Sequence, residues 1–227
     1  MAKRMLTAAA AGLLALGFTT SAHAQSATEG SLLVGFERMF GFGSGKVEVD
    51  LDEGGESETE GTAFTLGSPI ISPDGRLFIP RAGIDYVVSG PITVGGGFGF
   101  GTGSIDDDND DDISQTAFLL APRAGGLFMF NDTLGAWPRA GITFFHYSSS
   151  DDDGAVETST SFTAWQLNLE AWLAIEALPS LMFLAGFYFD LPIGGSGTFE
   201  VDPGGEDQDF DISVQTLGIS TAMVAVF

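Results

Sequence analysis

Apolar and polar positions alternate along most of this chain, with a period of two that indicates β-strands. In one segment Ile84, Tyr86 and Val88 form an apolar face, whereas Arg81 and Asp85 share the opposite face. The same alternation, interrupted by turn-forming residues, recurs along the chain. It predicts eight strands, at residues 32–47, 78–88, 92–104, 113–130, 136–148, 161–175, 181–193 and 212–227.

The two faces of the third predicted strand differ strongly in the size of their side chains. Ile92, Phe98 and Phe100 point one way, while Thr93 and a series of glycines point the other. A large apolar face opposite a nearly side-chain-free one suits a small barrel, because lipid covers the outside and the narrow interior has little room. A soluble β-sandwich shows the same alternation, so this pattern alone leaves that alternative open.

Two kinds of connection alternate between the predicted strands. Of the 31 acidic residues, 23 fall into four clusters, at residues 48–60, 106–112, 151–157 and 200–211. Short turn compositions lie between them, at residues 89–91, 131–135 and 178–180. The sequence therefore predicts an all-β fold, an eight-stranded antiparallel up-and-down transmembrane β-barrel with long acidic extracellular loops and short periplasmic turns. We assign residues 61–75 to the long first loop, with an extra hairpin or a strand extension as alternatives.

The start of the chain has the features of a secretory signal peptide. Lys3 and Arg4 precede an apolar run at residues 8–18, and Ala22 and Ala24 supply a small-x-small cleavage pattern. The run is shorter than the roughly 20 residues of a membrane-spanning helix. We expect a signal peptide at residues 1–24, a short segment at 25–30 and a barrel domain at 31–227.

The last segment carries a resemblance to a known class of protein. Ile219, Met223, Ala225 and Phe227 lie on one side of an extended strand that ends on an aromatic residue. This resembles the C-terminal assembly signal of bacterial outer-membrane β-barrel proteins. The chain as a whole resembles the small outer-membrane β-barrel superfamily that includes outer membrane proteins A, X and W. The resemblance implies the outer membrane of a Gram-negative bacterium, contact with lipid, lipopolysaccharide and the barrel assembly machinery, and a monomer.

Composition narrows the range of partners. Removal of residues 1–24 leaves 6 basic against 31 acidic residues, a net charge of about -25. Such a chain repels nucleic acid and favours cations or hydration. Its 20 Phe and 44% hydrophobic residues argue against disorder, and the absence of cysteine excludes disulfides and thiolate metal sites.

Charges are also predicted inside the barrel. The sequence Pro-Arg-Ala-Gly occurs three times, and by strand phase its arginines, Arg81, Arg123 and Arg139, face the lumen. Four carboxylates share that face, those of Glu37, Asp85, Glu170 and Asp190. Unpaired charges are costly there, so we expect a network of ion pairs that plugs the barrel, with a charge-lined ion path as the alternative. Glu37 and Arg38 are adjacent, which strict alternation does not allow. A β-bulge, or Arg38 snorkelling outward, would resolve the conflict.

One acidic run has the composition of a cation site. Residues 106–112 hold six carboxylates, and those of Asp106, Asp108, Asp110 and Asp112 are the candidate ligands for weak calcium binding. The run lacks the glycine and the distal glutamate of an EF-hand loop. A solvated, mutually repelling loop is the alternative interpretation, and we expect no other cofactor.

An enzymatic function rests on one short motif. His146 and Ser148 share the lipid-facing side of the fifth strand, and Glu157 or Glu170 could complete a triad. The spacing resembles that of outer-membrane lipid A deacylases, but Ser149 stands where that family has Asn, and the motif lies mid-chain. We therefore expect a non-enzyme with a structural or surface-interaction role. The alternatives are a narrow channel for small or hydrophobic solutes and, below it, a lipid A-modifying enzyme.

Overall fold

The computed structural model describes residues 27–51, 55–66, 79, 81–106, 112–152, 156–178, 180–202, 205 and 207–227. This part of the chain forms eleven β-strands. They are β1 (Leu32–Glu37), β2 (Phe40–Leu51), β3 (Gly55–Leu66), β4 (Arg81–Ser89), β5 (Ile92–Asp106), β6 (Asp112–Gly126), β7 (Phe128–Met129), β8 (Leu134–Asp152), β9 (Glu157–Leu178), β10 (Leu181–Asp202) and β11 (Gln208–Val226). Within these ranges no helix is long and apolar enough to cross a membrane.

The strands close into a ring of eight. The order around the ring is β1, β4, β5, β6, β8, β9, β10 and β11, and β11 pairs with β1 to close it. Neighbours are antiparallel, and β7 is a short continuation of β6 that pairs with β8. The predicted all-β, antiparallel barrel is confirmed, and each of the eight predicted strands has a counterpart. The predicted signal peptide lies outside the described residues.

The first strand of the ring is divided in two. Strand β1 pairs with β11 and β4, whereas β2 continues beyond a break at Arg38 and Met39, pairing with β11 on one side and β3 on the other. Residues 55–66 are therefore a strand that forms a hairpin with β2, which confirms the extra-hairpin alternative for residues 61–66, while residues 67–75 lie outside the described residues. Within this hairpin Lys46 Nζ lies 2.5 Å from Glu48 Oε1 and 3.1 Å from Glu58 Oε2.

Three of the four acidic clusters were wrongly predicted to be entirely loop, because their described residues lie mostly on strands, whereas residues 107–111 of the fourth lie outside the described part of the chain. Strands β9 and β10 are each 22 residues long. A transmembrane β-strand needs only about 9 to 11 residues, so both continue far past a bilayer. In the described part of the chain, most acidic residues sit on strand extensions of this kind and form an acidic rim of exposed carboxylates. The acidic rim consists of Glu48, Asp50, Glu56, Glu58, Glu60, Asp151, Asp152, Glu157, Glu200, Asp202, Asp207, Asp209 and Asp211.

The outer wall carries an apolar band between the turns and the acidic rim. It covers 9 residues in β5, from Ile92 to Phe100, and 11 in β9, from Ile175 to Trp165. That height matches the apolar belt of a transmembrane barrel. Aromatic residues mark its rim-side edge, where Phe144 packs edge-on against Trp165 with ring centroids 4.8 Å apart.

The interior is packed in three layers. An apolar cluster near the turns includes Trp137, Trp172 and Met182. A second apolar cluster, toward the acidic rim, includes Phe145 and Phe162. Each of the two clusters is made by alternate residues of several strands, as expected when one side of every strand faces inward. Between them lies a layer of charged and polar side chains.

Candidate functional site: a buried charge network

Eight charged side chains meet in the middle layer of the barrel, and we call them the charge network. Their exposure is 5% or less. The members are Glu37, Arg38, Arg81, Asp85, Arg123, Arg139, Glu170 and Asp190. Seven of these were predicted from strand phase to face the lumen, and the structure places all seven there. With four arginines and four carboxylates, the network is electrically balanced.

Arg38 joins the network through a bulge. Four residues, from Glu37 to Phe40, lie opposite two residues of β11, and Arg38 has a φ of 50°. A positive φ is uncommon for a residue with a side chain and carries an energetic cost. The bulge turns both Glu37 and Arg38 inward, so the outward, snorkelling orientation of Arg38 is wrong. In return, Arg38 donates two hydrogen bonds to Asp190, at 2.7 and 2.9 Å.

Glu37 is the centre of the network. Arg123 Nη1 donates to its Oε2 at 2.6 Å, and Arg139 Nη1 donates to its Oε1 at 2.8 Å. Arg81 Nε lies 3.2 Å from the same carboxylate but makes no hydrogen bond within the described residues. One carboxylate therefore faces three guanidinium groups, and its charge holds them together.

The other three carboxylates accept hydrogen bonds from the remaining donors. Asp85 accepts a two-point contact from Arg123, at 3.0 and 2.5 Å. Glu170 accepts from Arg139 at 2.5 Å and from the Trp172 indole at 3.1 Å. Asp190 accepts additional hydrogen bonds from Thr216, at 2.6 Å, and from Asn168. Sequence phase could not assign these last two polar partners, because a serine, threonine or asparagine on an inner face carries no signal of what it binds.

Glycines make room for the network. A Cβ at position 83 would lie 2.6 Å from Glu37 Oε1, and one at position 97 would lie 2.7 Å from Arg81 Nε. At position 218 a Cβ would lie 2.5 Å from the Tyr188 hydroxyl, and Tyr188 itself lies under Arg38 at 4.2 Å. The glycines thus do not enclose empty space, because large side chains from other strands fill the volume that they leave.

Arg139 links the network to the apolar cluster near the turns. Its guanidinium lies 4.6 Å from the centre of the Trp137 ring and 5.4 Å from that of Trp172. A cation over an indole face gains electrostatic stabilisation while the ring excludes water. The ion pairs of the network therefore link strands on opposite sides of the lumen. The apolar clusters on either side of the network interrupt a continuous polar path along the barrel.

Two of the four predicted calcium ligands lie outside the described residues. Asp106 ends β5 and Asp112 begins β6, and the two residues pair across these strands. Asp108 and Asp110 fall in the undescribed segment between them. Among the residues that are described, no group of three or more His, Cys, Asp or Glu side chains could hold a metal ion.

The residues of the hypothetical triad do not converge. His146 faces outward beside Thr163, with Nδ1 3.2 Å from the threonine hydroxyl. Ser148 lies on the same outer side, whereas Glu170 is inside the barrel, within the charge network. Glu157 begins β9 opposite Asp152, six residues along β8 from His146. A triad with Glu170 is therefore wrong.

Among known proteins, this chain is similar only in structure to the ones described next, at low sequence identity. No protein-family model matches this chain, and neither does any curated protein. A major outer membrane protein of Thermus thermophilus is 13% identical, covering 82% of this chain and 99% of its own, with a TM-score of 0.49. The outer membrane protein OprG of Pseudomonas aeruginosa is 11% identical, covering 90% and 99%, with a TM-score of 0.47. The outer membrane protease OmpT of Escherichia coli is 9% identical, covering 93% and 100%, also at 0.47.

Proposed function

We propose that this protein is a closed β-barrel of the outer membrane of a Gram-negative bacterium with a structural or surface-interaction role. Its apolar band sits in lipid and lipopolysaccharide, and its acidic rim lies outside the cell. The observation that supports a closed barrel is the charge network between two apolar clusters. Ion conduction needs a wet, continuous polar lining, and this interior is instead filled at three levels.

The same proposal makes the protein a non-enzyme. The strongest catalytic candidate was the pair His146 and Ser148, which needs an acid on the outer wall. Glu170 is separated from this pair by the wall itself. A histidine that contacts a threonine hydroxyl near the edge of an apolar band is typical of an interfacial residue, and no step of an acyl transfer follows from that contact.

A conductance measurement tests the closed interior. Refolded protein in a planar lipid bilayer is expected to give no steady current above that of the empty bilayer, while a trimeric porin treated identically gives one. A reproducible, saturable conductance through the wild-type protein would favour the narrow-channel alternative and would contradict a plugged barrel.

Cysteine labelling tests the orientation. The chain has no cysteine, so each single-cysteine variant reports one position. Asp202→Cys, on the acidic rim, is expected to react with a membrane-impermeant maleimide on intact cells. Asp132→Cys, in the turn before β8, should react only after the outer membrane is permeabilised. The reverse pattern would show the opposite orientation, and labelling of neither site on permeabilised cells would place the protein elsewhere.

A further inference from the structure

A polar groove lies in the outer wall, directly on the rim side of the apolar band. It has a volume of about 380 Å³ and crosses strands β8 to β11. We call it the wall groove. Its polar lining includes His146, Thr163, Ser196, Thr198, Asp209 and Asp211. None of these side chains belongs to the charge network, which lies on the other side of the wall.

Strand register brings these side chains together. Thr163 of β9 pairs with His146 on one side and Ser196 on the other, and Ser196 pairs in turn with Asp211. One step toward the rim, Thr198 pairs with Asp209. The side chains face outward because residues 162 and 164 of β9 are buried inside, whereas Trp165 is 45% exposed on the same side as Thr163.

A bulge in β10 shapes the wall groove. The pairing of β10 with β9 shifts by one residue between Pro192 and Gly194, and Gly194 has a φ of 153° that favours glycine. Beyond this bulge the outward-facing residues of β10 are Ser196 and Thr198, which are both small, whereas Gly195 and Gly197 face the interior.

An aromatic ring, that of Trp165, lies on the membrane side of the wall groove, two residues from the lining residue Thr163 and on the same outer face. Trp165 pairs with Gly194, which has no side chain to cover the indole from that direction. On the opposite side the ring of Phe144 packs edge-on against it. Tryptophan at this depth is typical of a membrane interface, where one part of the ring is in lipid and the other meets polar groups.

The groove is preorganised, yet its strongest acceptors are unused. The hydroxyls of Ser161 and Thr198 lie 3.1 Å apart, and His146 is held by Thr163. Within the described residues neither Asp209 nor Asp211 makes a side-chain hydrogen bond or ion pair. Two carboxylates that accept only, beside hydroxyls that donate and accept, suit a ligand rich in O–H or N–H donors.

The charge of the lining selects among ligands. Among the described residues no lysine or arginine lines the groove, so a bare phosphate would face two carboxylates with at most one histidine to offset them. A sugar ring offers hydroxyls for the carboxylates and an apolar face for the indole. We propose that the wall groove binds an uncharged sugar unit in the saccharide head group of an outer-leaflet glycolipid, through its hydroxyl groups, with the phosphate groups of that lipid outside the groove. This inference rests on the proposed location, because such glycolipids are met only there.

Binding can be measured apart from location, on purified protein in detergent. Native mass spectrometry would record the fraction of barrels that retain one molecule of rough-type lipopolysaccharide. Asp211→Asn and Thr163→Val are expected to lower apparent affinity about tenfold each, as loss of a hydrogen bond to a charged or polar partner does. Asp132→Asn and Ser114→Ala, outside the groove, serve as matched controls and should bind as the wild type does. Heat-modifiable migration verifies that each variant is folded.

The outcomes separate the possibilities. The proposal would be overturned if the folded groove variants retained as much lipopolysaccharide as the controls do. It would also be overturned if the wild type retained phosphatidylglycerol as well as it retains lipopolysaccharide. If free core oligosaccharide competes with lipopolysaccharide, the saccharide itself is recognised. If it does not compete while the variants still lose affinity, the ligand is the membrane-anchored glycolipid only. Failure of the labelling experiment would refute the location without changing these binding results, so the two proposals fail independently.

Discussion

The charges inside this barrel and the charges on its rim obey opposite rules. Inside, four arginines meet four carboxylates, and all of these side chains are 5% or less exposed. On the acidic rim thirteen carboxylates are exposed. Within the described residues, the basic residue that forms ion pairs with them is Lys46, which contacts Glu48 and Glu58. Water and salt tolerate the imbalance on the rim, whereas a buried charge must find a partner.

The comparison shows that net charge is a poor guide to where charge matters. Exposed ion pairs contribute little to stability, and like charges on a wet surface are screened. A buried pair is different, because removal of one partner strands the other away from water. Stability should therefore depend on the few balanced charges of the network and hardly on the many unbalanced charges of the rim.

The largest effect is expected from Glu37→Gln. The substitution keeps the shape of the side chain but removes the charge that faces Arg81, Arg123 and Arg139. We expect the free energy of unfolding to fall by about 3 to 5 kcal/mol, measured by urea titration in lipid vesicles. Glu56→Gln, on the exposed part of β3, is the matched control and should shift it by less than about 0.5 kcal/mol. Equal effects of the two substitutions would erase the distinction between interior and rim.

A smaller effect is expected from Gly83→Ala. The new methyl group would lie 2.6 Å from Glu37 Oε1 and 2.7 Å from Arg123 Nη2, so the network must move to admit it. Overpacking of this kind costs about 1 to 3 kcal/mol. In the β2–β3 hairpin, a Cβ at Gly61 would meet nothing within 4 Å, so Gly61→Ala should be nearly neutral. A neutral Gly83→Ala would mean that the interior has spare volume, which would revive the channel alternative.

The smallest effect concerns calcium and the acidic segment at residues 106–112. We expect those carboxylates to be solvated, as the carboxylates of the acidic rim are, so isothermal titration with calcium should give little heat, and that heat should vanish in moderate sodium chloride. Asp108→Asn should then change nothing. Saturable binding that survives the salt and is lost in Asp108→Asn would instead identify a specific site and single out this segment from the rim.

Strand phase was sufficient for most of the fold and for seven members of the charge network. Alternation fixes which residues face inward, so Arg123 and Asp85 could be assigned to the lumen from their neighbours alone. It also assigned both faces of β4 and β5, where Ile84 and Phe98 are exposed and Thr93 is buried. These successes share one cause, which is that a regular strand has a period of two.

Bulges and strand ends were beyond this reasoning. A bulge changes the phase by inserting residues, and the sequence around Arg38 showed only that two charges could not both obey strict alternation. The bulge near Gly194 gave no such warning, so the wall groove was missed. Acidic segments were predicted to be loops because the sequence of a solvent-exposed, charged strand resembles that of a loop. In the structure, hydrogen bonds to neighbouring strands extend β9 and β10 through that polar region.

The charge network also constrains the order in which the barrel can be completed. Its partners are far apart in sequence: Arg38 and Asp190 are separated by 152 residues, and Arg139 and Glu37 by 102. Glu37 can meet Arg81 of the neighbouring β4 early, but the ion-pair partners of Arg38 lie on β9 and β10, so its charge stays unpaired until the first strand meets these late ones. A half-closed ring therefore carries bare charges next to lipid, which is energetically unfavourable. Closure of the ring and pairing of these charges therefore occur together, and a partly closed ring is not stabilised.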